Sequence, residues 1–145
     1  MSLEGYEQLK LEKQLCFPLY AAAKEVVRKY KPYLDELDLT YTQYITMMVL
    51  WENGSMNVKE LGSKLYLDSG TLTPLLKKLE AKGYISRCRC KEDERNLIIR
   101  ITEKGDALKE KAANIPSDMT EKWVNISDEE IKTMYHALYK LLSQV

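Results

Sequence analysis

Cys16 is the side chain whose position in this sequence most clearly suggests chemistry. It lies two residues before Pro18, and proline is well tolerated in the first turn of a helix but costly inside one. If a helix begins near Pro18, the thiol lies at its N-terminus, where exposed backbone N–H groups and the helix dipole favour the thiolate. The pattern therefore predicts a redox-sensitive thiol. A longer helix that kinks at Pro18, and a buried structural cysteine, are alternatives that the sequence leaves open.

Tyrosines follow Cys16 at spacings that could build a pocket around the thiol. Tyr20 lies one helical turn after Cys16, and Tyr30 and Tyr41 stand at the two ends of the connection between the first two predicted helices. Phenolic O–H groups can donate hydrogen bonds to a thiolate while their rings form an apolar surround. Such a pocket favours an oxidant with an apolar tail over hydrogen peroxide. Packing of these tyrosines in an ordinary core is the alternative.

Residues 67–95 contain a second group of functional candidates. Asp68 offers an N-cap for a helix predicted over residues 70–82, and Gly83 ends it. The early turns of this helix carry hydroxyl groups and the later turns carry lysines, which can contact the phosphates and base edges of DNA. The candidate DNA-binding residues on this helix are Ser69, Thr71, Thr73, Lys77 and Lys78.

A two-stranded ribbon with a charged tip follows that helix. Strands are predicted over residues 84–90 and 97–101, with residues 91–96 as the tip. A helix followed by such a ribbon is the order of a recognition helix and a wing, which contact DNA in two grooves. Arg95 suits a narrow, electronegative minor groove, and Asp93 could hold its guanidinium in place. Singly, these residues are also compatible with helix caps and a solvated turn, and winged helices sometimes bind proteins instead.

The charge distribution favours a local interface with DNA. The 145-residue chain has a formal net charge of zero, which argues against a strongly basic nucleic-acid binder. Between residues 71 and 91, however, six basic side chains are accompanied by Glu80 as the one acidic residue. A basic patch on a neutral protein still neutralises phosphates, so we expect local binding by a dimer.

Further helices are predicted on both sides of this central part. A first helix covers residues 18–31 and ends at Pro32, and a capping box formed by Thr40 with Gln43 opens a second over residues 40–52. The others cover residues 57–65, 102–115 (followed by Pro116) and 127–142. The buried face of the second helix is expected to carry Tyr44, Met47, Met48 and Trp51.

This order of four helices, two strands and two helices predicts a mainly α fold with a small β-ribbon. It is a winged helix-turn-helix with N- and C-terminal dimerisation helices. The last two helices carry apolar stripes that need a partner, which favours a homodimer built from both chain ends. We expect a single domain over residues 1–145, with the DNA-binding part at 33–104 and dimerisation helices at 6–32 and 105–145.

Several classes of protein are disfavoured by what the sequence lacks. It has no apolar run of membrane-spanning length and a polar N-terminus unlike a signal peptide, so we expect a cytoplasmic protein without a membrane partner. Cys88 and Cys90 form a C-x-C pair with only a distant His136, a weak metal signal, so no metal or cofactor is expected. No arginine or Ser/Thr set next to Cys16 supports peroxidase turnover, so the chain is not expected to be an enzyme.

Several segments together resemble the MarR family of winged-helix regulators, and within it the organic-hydroperoxide-resistance repressors. The segments are LEKQLCFPLYAAAKEV, YKPYL, LTYTQY, LYLDSGTLTPLLKKLE, KEDERN and ITEKG. The resemblance implies a homodimer that binds a palindromic operator in double-stranded DNA. It implies that residues 69–78 form the major-groove reader, and that Arg95, supported by Asp93, is the minor-groove arginine of the wing.

The same resemblance implies a role for the thiol. Cys16 would be the peroxide-sensing residue, with Tyr30 and Tyr41 as hydrogen-bonding partners reached across the dimer, and with Tyr20 and Phe17 as further pocket residues. Two-cysteine members carry a resolving cysteine near the last helical region, and residues 115–131 contain none. The chain therefore resembles the one-cysteine type, in which a small thiol traps the sulfenic acid or over-oxidation follows.

The expected function is a redox-sensing repressor, released from its operator when an organic hydroperoxide oxidises Cys16. Two alternatives share the fold. One is a regulator that responds to a small aromatic ligand, and the other is a thiol-based global or virulence regulator.

Overall fold

The computed structural model describes residues 4–89, 96–123 and 125–145. Within these residues the chain forms two short 3-10 turns, Glu7–Leu9 and Leu11–Lys13, followed by seven α-helices and three strands. The helices are α1 (Cys16–Glu36), α2 (Tyr41–Asn53), α3 (Val58–Leu65), α4 (Ser69–Ala81), α5 (Glu103–Ala112), α6 (Ile115–Thr120) and α7 (Asp128–Leu142). The strands are β1 (Ser55–Asn57), β2 (Ile85–Arg89) and β3 (Leu97–Ile101). The chain divides into two compact units, Met1–Ala113 and Asn114–Val145.

The first unit contains a helix-turn-helix, formed by α3 and α4, followed by a β-ribbon. The strands form an antiparallel sheet in the order β1-β3-β2. The strand β1 is not predicted by the sequence pattern, and it pairs Met56 with Ile99. The predicted fold class, mainly α with a small β-ribbon in a winged helix-turn-helix, is confirmed.

The first helix differs from its prediction at both ends. It begins at Cys16, so Pro18 is its third residue and needs no intrahelical hydrogen bond. It does not end at Pro32 but continues to Glu36. Pro32 is exposed, so water can reach the carbonyl that its missing N–H leaves free, and the burial of Leu34 beyond it favours continuation.

The second helix has the predicted start but a different buried face. The Thr40 side chain accepts from the Gln43 N–H, and the Gln43 side chain accepts from the Thr40 N–H, which confirms the capping box. Met48, predicted to be buried, is 43% exposed. The buried residues of α2 are Gln43, Tyr44, Thr46, Met47, Val49 and Leu50, a wider face than one narrow stripe.

The predicted helix over residues 102–115 is divided in two. Helix α5 ends at Ala112, and Pro116 lies in the first turn of α6 rather than beyond the end of a helix. Proline disrupts the interior of a helix but fits the start of a new one, so the chain ends one helix and begins the next.

The second unit contains α6 and α7, and α7 has no buried side chain. A capping box of Ser127 with Glu130 opens it as predicted. Its large apolar side chains are extensively exposed, among them Met134, Tyr135, Leu138, Tyr139 and Leu141. No helix in the described part of the chain is long and apolar enough to cross a membrane.

Candidate nucleic-acid interface and thiol site

The leucines and the polar side chains of helix α4 lie on different faces of the helix. Asp68 accepts from the Thr71 N–H at 2.8 Å, which fixes the start of the helix. Four leucines of α4 are buried, and Leu76 and Leu79 have almost no exposed surface. The predicted DNA-binding residues are all exposed on this helix: Ser69, Thr71, Thr73, Lys77 and Lys78. The helix therefore presents hydroxyl and ammonium groups to solvent from a rigid support.

The turn before α4 is held by a close approach of two backbones. Tyr66 adopts a left-handed conformation with φ of 55° and ends α3. The Leu67 N–H donates to the Gly62 carbonyl at 2.9 Å, and a Cβ on Gly62 would lie 2.9 Å from the Leu67 carbonyl oxygen. Glycine is required where backbones approach this closely, so the helix-turn-helix angle is fixed here.

An ion pair fastens the wing to the recognition helix. The Arg87 Nε donates to Glu80 Oε2 at 2.8 Å, and one guanidinium NH₂ group lies 2.6 Å from the same oxygen. The Arg87 backbone N–H also donates to Glu80 Oε1 at 3.2 Å. Hydrogen bonds from Arg87 hold the pKa of the Glu80 carboxyl below its ordinary value. Arg87 therefore positions β2 against α4, and it is not one of the basic groups left exposed for DNA.

The predicted wing-tip residues Asp93 and Arg95 lie outside the described residues, as does Cys90. At the base of the wing, Cys88 is an exposed free thiol. No group of histidine, cysteine and carboxylate side chains suited to a metal ion occurs among the residues described.

Cys16 is the first residue of α1 and its thiol is exposed. Before it, the Gln14 side-chain amide donates to the Gln8 carbonyl at 2.6 Å and to the Lys10 carbonyl at 3.2 Å, tying the two 3-10 turns together. With Phe17 and Pro18, these turns line an open groove at the start of α1.

A tyrosine cluster formed by Tyr30, Tyr41 and Tyr44 lies at the other end of α1. Tyr30 and Tyr41 have ring centroids 5.1 Å apart, and Tyr44 is 5.8 Å from Tyr30. Burial raises the pKa of Tyr30 and of Tyr41, and it raises the pKa of Tyr44 to about 12. The phenols of the tyrosine cluster are therefore neutral hydrogen-bond donors at neutral pH.

The structure brings some of the predicted pocket residues together and separates others. Tyr30 and Tyr41 are in contact, but Tyr20 is 63% exposed, with the Lys24 ammonium 5.5 Å from its ring centre. Cys16 and Tyr30 lie on one helix, so they are about 21 Å apart along its axis at 1.5 Å per residue. A single chain therefore does not place the thiol beside the tyrosine cluster.

Tyr44 was expected in the core and not in the pocket. Its position three residues after Tyr41 in a predicted helix is a signal that could have identified it, because residues at this spacing share a face. Trp51 continues the same face, with its ring 6.2 Å from that of Tyr44.

Comparisons with known proteins agree with this geometry. A model of the family described as transcriptional regulator SarA/Rot matches residues 28–112 of the chain. This chain belongs to the SarA/Rot family of transcriptional regulators. The match covers α2 to α5, with the recognition helix and the strands of the wing, so this member is a regulator rather than an enzyme.

Among its relatives is the organic hydroperoxide resistance transcriptional regulator of Bacillus subtilis (strain 168). It is 49% identical to this SarA/Rot regulator over 137 residues, which cover 94% of this chain and 92% of the relative. AbfR is a protein of Staphylococcus epidermidis. The structure of reduced AbfR bound to DNA superposes on this chain with a TM-score of 0.79 and 33% sequence identity, and the match covers 97% of each chain. A mutant of MarR from E. coli in complex with operator DNA has a TM-score of 0.80 and 25% identity, covering 88% of this chain and 93% of that one. The resemblance to MarR-type winged-helix regulators is thereby confirmed.

Proposed function

We propose that this regulator is a homodimeric repressor that binds palindromic double-stranded DNA in its reduced form. The observation that carries the proposal is the exposed polar face of α4, supported from behind by buried leucines and held to the wing by the Glu80–Arg87 ion pair. In each protomer, residues 69–78 enter a major groove, and their hydroxyl and ammonium groups contact phosphates and base edges. Arg95 enters the adjacent minor groove with Asp93 as its support.

Oxidation of Cys16 by an organic hydroperoxide releases the DNA. The Cys16 thiolate attacks one peroxide oxygen, an S–O bond forms, the O–O bond breaks, and the departing alkoxide takes up a proton to become an alcohol. Sulfur loses two electrons and becomes a sulfenic acid. A small thiol then condenses with it, forming a mixed disulfide and water. The exposure of Cys16 in the chain supports access by both reactants.

The sensing pocket is built from two chains. Because Cys16 lies about 21 Å along α1 from Tyr30, an antiparallel arrangement of two copies of α1 would bring each thiol to the partner's tyrosine cluster. The partner's Tyr30 and the partner's Tyr41 donate hydrogen bonds to the thiolate, and Phe17 and Tyr20 contribute apolar surface. A homodimer also provides a cover for the exposed apolar face of α7.

A modest coupling energy is enough for release. A hundredfold loss of DNA affinity corresponds to about 2.7 kcal/mol. Loss of the two hydrogen bonds to the thiolate, together with the bulk of a trapped thiol, is of this size. The change alters the distance between the two recognition helices, which must be about one DNA turn for both to bind.

The test uses a DNA duplex selected in vitro from a random-sequence pool with the reduced protein. Affinity for this selected duplex is measured by fluorescence anisotropy before and after about one equivalent of cumene hydroperoxide, first alone and then with a small thiol such as cysteine, with intact mass in parallel. We expect wild type to lose affinity when Cys16 alone is modified, and Cys16→Ser to keep DNA bound. Cys88→Ser is the matched control, since it also removes an exposed thiol and should still respond.

Two results would count against the proposal. Release of Cys16→Ser by the hydroperoxide would exclude Cys16 as the sensor. Unchanged affinity of wild type after complete conversion of Cys16 to the mixed disulfide would favour a regulator of the same fold that responds to a small ligand. We also propose a cytoplasmic location, because a regulator of transcription acts where the bacterial chromosome lies.

A further inference from the structure

Trp51 connects the tyrosine cluster to another part of the fold. Its ring lies edge-on to Tyr44, with centroids 6.2 Å apart and planes at 69°. On its other side, the indole Nε1 donates a hydrogen bond of 2.9 Å to the carbonyl oxygen of Gly105 in α5. One side chain therefore contacts both the tyrosine cluster and the backbone of α5.

Gly105 in turn fixes the residue that joins the recognition helix to the wing. A Cβ on Gly105 would lie 2.1 Å from the Tyr84 carbonyl oxygen, so the α5 backbone rests directly on Tyr84. The Tyr84 N–H donates to the Leu79 carbonyl in the last turn of α4, and the Tyr84 carbonyl accepts from the Thr102 N–H, both at 3.1 Å. Because Ile85 begins β2, a displacement of Gly105 reaches both α4 and the wing.

We propose that Trp51 is the positioning residue through which the tyrosine cluster sets the junction between α4 and β2. The inference rests on the proposed function, since it names the route by which oxidation beside the cluster reaches the DNA-binding surface. The route is a contiguous series of contacts: ring against ring, indole N–H to carbonyl, and backbone against backbone. Close-packed interiors transmit such displacements because no void absorbs them.

A purely space-filling role for Trp51 makes a different prediction. Trp51→Phe keeps an aromatic ring against the tyrosine cluster and removes the N–H that bonds Gly105. If Trp51 only fills space, this substitution lowers stability and leaves the response of the junction to the cluster unchanged. If Trp51 is the positioning residue, the junction becomes insensitive to changes in the cluster.

The first experiment needs neither DNA nor oxidant. Hydrogen exchange at the Thr102 amide, which bonds the Tyr84 carbonyl, reports the state of the junction. Wild type, Tyr30→Leu, Trp51→Phe and the double variant form a double-mutant cycle. In the wild-type background, Tyr30→Leu should speed exchange at Thr102 by about fivefold, which corresponds to the free energy of one neutral hydrogen bond. In the Trp51→Phe background, the same substitution should speed exchange by less than about twofold.

The effect of Tyr30→Leu decides between the two roles. An equal effect in both backgrounds overturns the proposal. If Tyr30→Leu does not fold, Tyr30→Phe enters the same cycle, because it keeps the ring and removes only the phenolic hydroxyl group.

The second experiment uses the selected duplex, cumene hydroperoxide and the same small thiol. The measured quantity is the ratio of the Kd after oxidation to the Kd before it. Trp51→Phe should reduce this ratio by about fivefold relative to wild type. The chain has two tryptophans, so Trp123→Phe is the matched control and should keep the wild-type ratio. It also leaves Trp51 as the one tryptophan fluorophore, whose emission should shift when Cys16 is oxidised.

The two experiments separate this inference from the proposed function. If wild type keeps its DNA after oxidation while exchange at Thr102 is non-additive, the redox function is wrong and the role of Trp51 stands. If wild type releases DNA and Trp51→Phe releases it to the same extent, the redox function stands and the role of Trp51 is wrong.

Discussion

Replacing Gly105 by alanine tests the close backbone approach between α5 and Tyr84. Gly105 is a buried residue in the first turn of α5. The added Cβ would lie 2.1 Å from the carbonyl oxygen of Tyr84 and 2.9 Å from its carbonyl carbon. Since favourable contacts of carbon atoms lie near 3.5–4.0 Å, α5 or the segment at Tyr84 must move by roughly 1 Å or more.

The expected cost follows from three contributions. Overpacking of a tight site costs about 1–3 kcal/mol. Displacement of the Gly105 carbonyl weakens its hydrogen bond from Trp51, which contributes about 1 kcal/mol. Alanine is a better helix former than glycine by up to about 1 kcal/mol, which offsets part of the loss. The net expectation is a destabilisation of about 2 kcal/mol, or a melting temperature lowered by about 4–8 °C for a chain of this length.

Urea unfolding of the reduced protein, at one fixed protein concentration, measures this change. Ala107→Gly is the control, because Ala107 is an exposed position of the same helix and calibrates the intrinsic helix preference there. The close approach at Tyr84 would be refuted if Gly105→Ala were as stable as wild type, or more stable, while Ala107→Gly showed the ordinary glycine penalty.

Three further changes have defined outcomes. Because Arg87 lowers the pKa of Glu80, the ion pair stabilises the fold above the ordinary carboxyl pKa of 4.5, and this effect is lost as the pH falls through the lowered pKa. Glu80→Gln should therefore remove this acid-side pH dependence of the urea midpoint and weaken DNA binding. An unchanged pH profile would contradict this expectation. The pKa of Tyr44 is raised to about 12, so the stabilising effect of its buried neutral phenol is complete below pH 10.0 and is lost as the pH rises towards 12. In an ultraviolet titration, Tyr44→Phe should lack part of the phenolate absorbance that wild type gains at the highest pH. A titration curve identical to that of wild type would argue against burial as the cause. Thr40→Ala removes the acceptor for the Gln43 N–H and should lower the unfolding free energy by about 1 kcal/mol in urea, whereas no change would show that water replaces the cap.

Local signals in the sequence were sufficient to predict the elements whose ends are set by neighbouring residues. The capping residues Thr40, Asp68 and Ser127 each mark the start of a helix within one residue of its observed position. Side-chain caps and the left-handed glycine at Gly83 act over a few residues, so they can be read directly. The polar face of α4 was predictable for the same reason, because helical spacing alone separates it from the leucines.

Elements that depend on distant partners were not predictable in this way. The strand β1 has three residues and exists because Met56 pairs with Ile99, far along the chain. Pro32 stays inside α1 because its side is exposed and Leu34 beyond it is buried, which depends on tertiary packing. The wider buried face of α2 has the same origin. Helix α1 keeps Cys16 and the tyrosine cluster apart within one chain. Sequence patterns within that chain therefore could not show how the thiol and the phenols would meet.

The uninterrupted course of α1 between Cys16 and Tyr30 makes the number of residues in this segment a fixed dimension. One inserted or deleted residue would turn everything beyond it by about 100° and shift it by about 1.5 Å. No substitution elsewhere could restore both ends at once, whereas exposed side chains of this segment outside the proposed pocket can be exchanged one at a time without changing either end. Evolution of this segment is therefore expected to conserve its length more strictly than its composition.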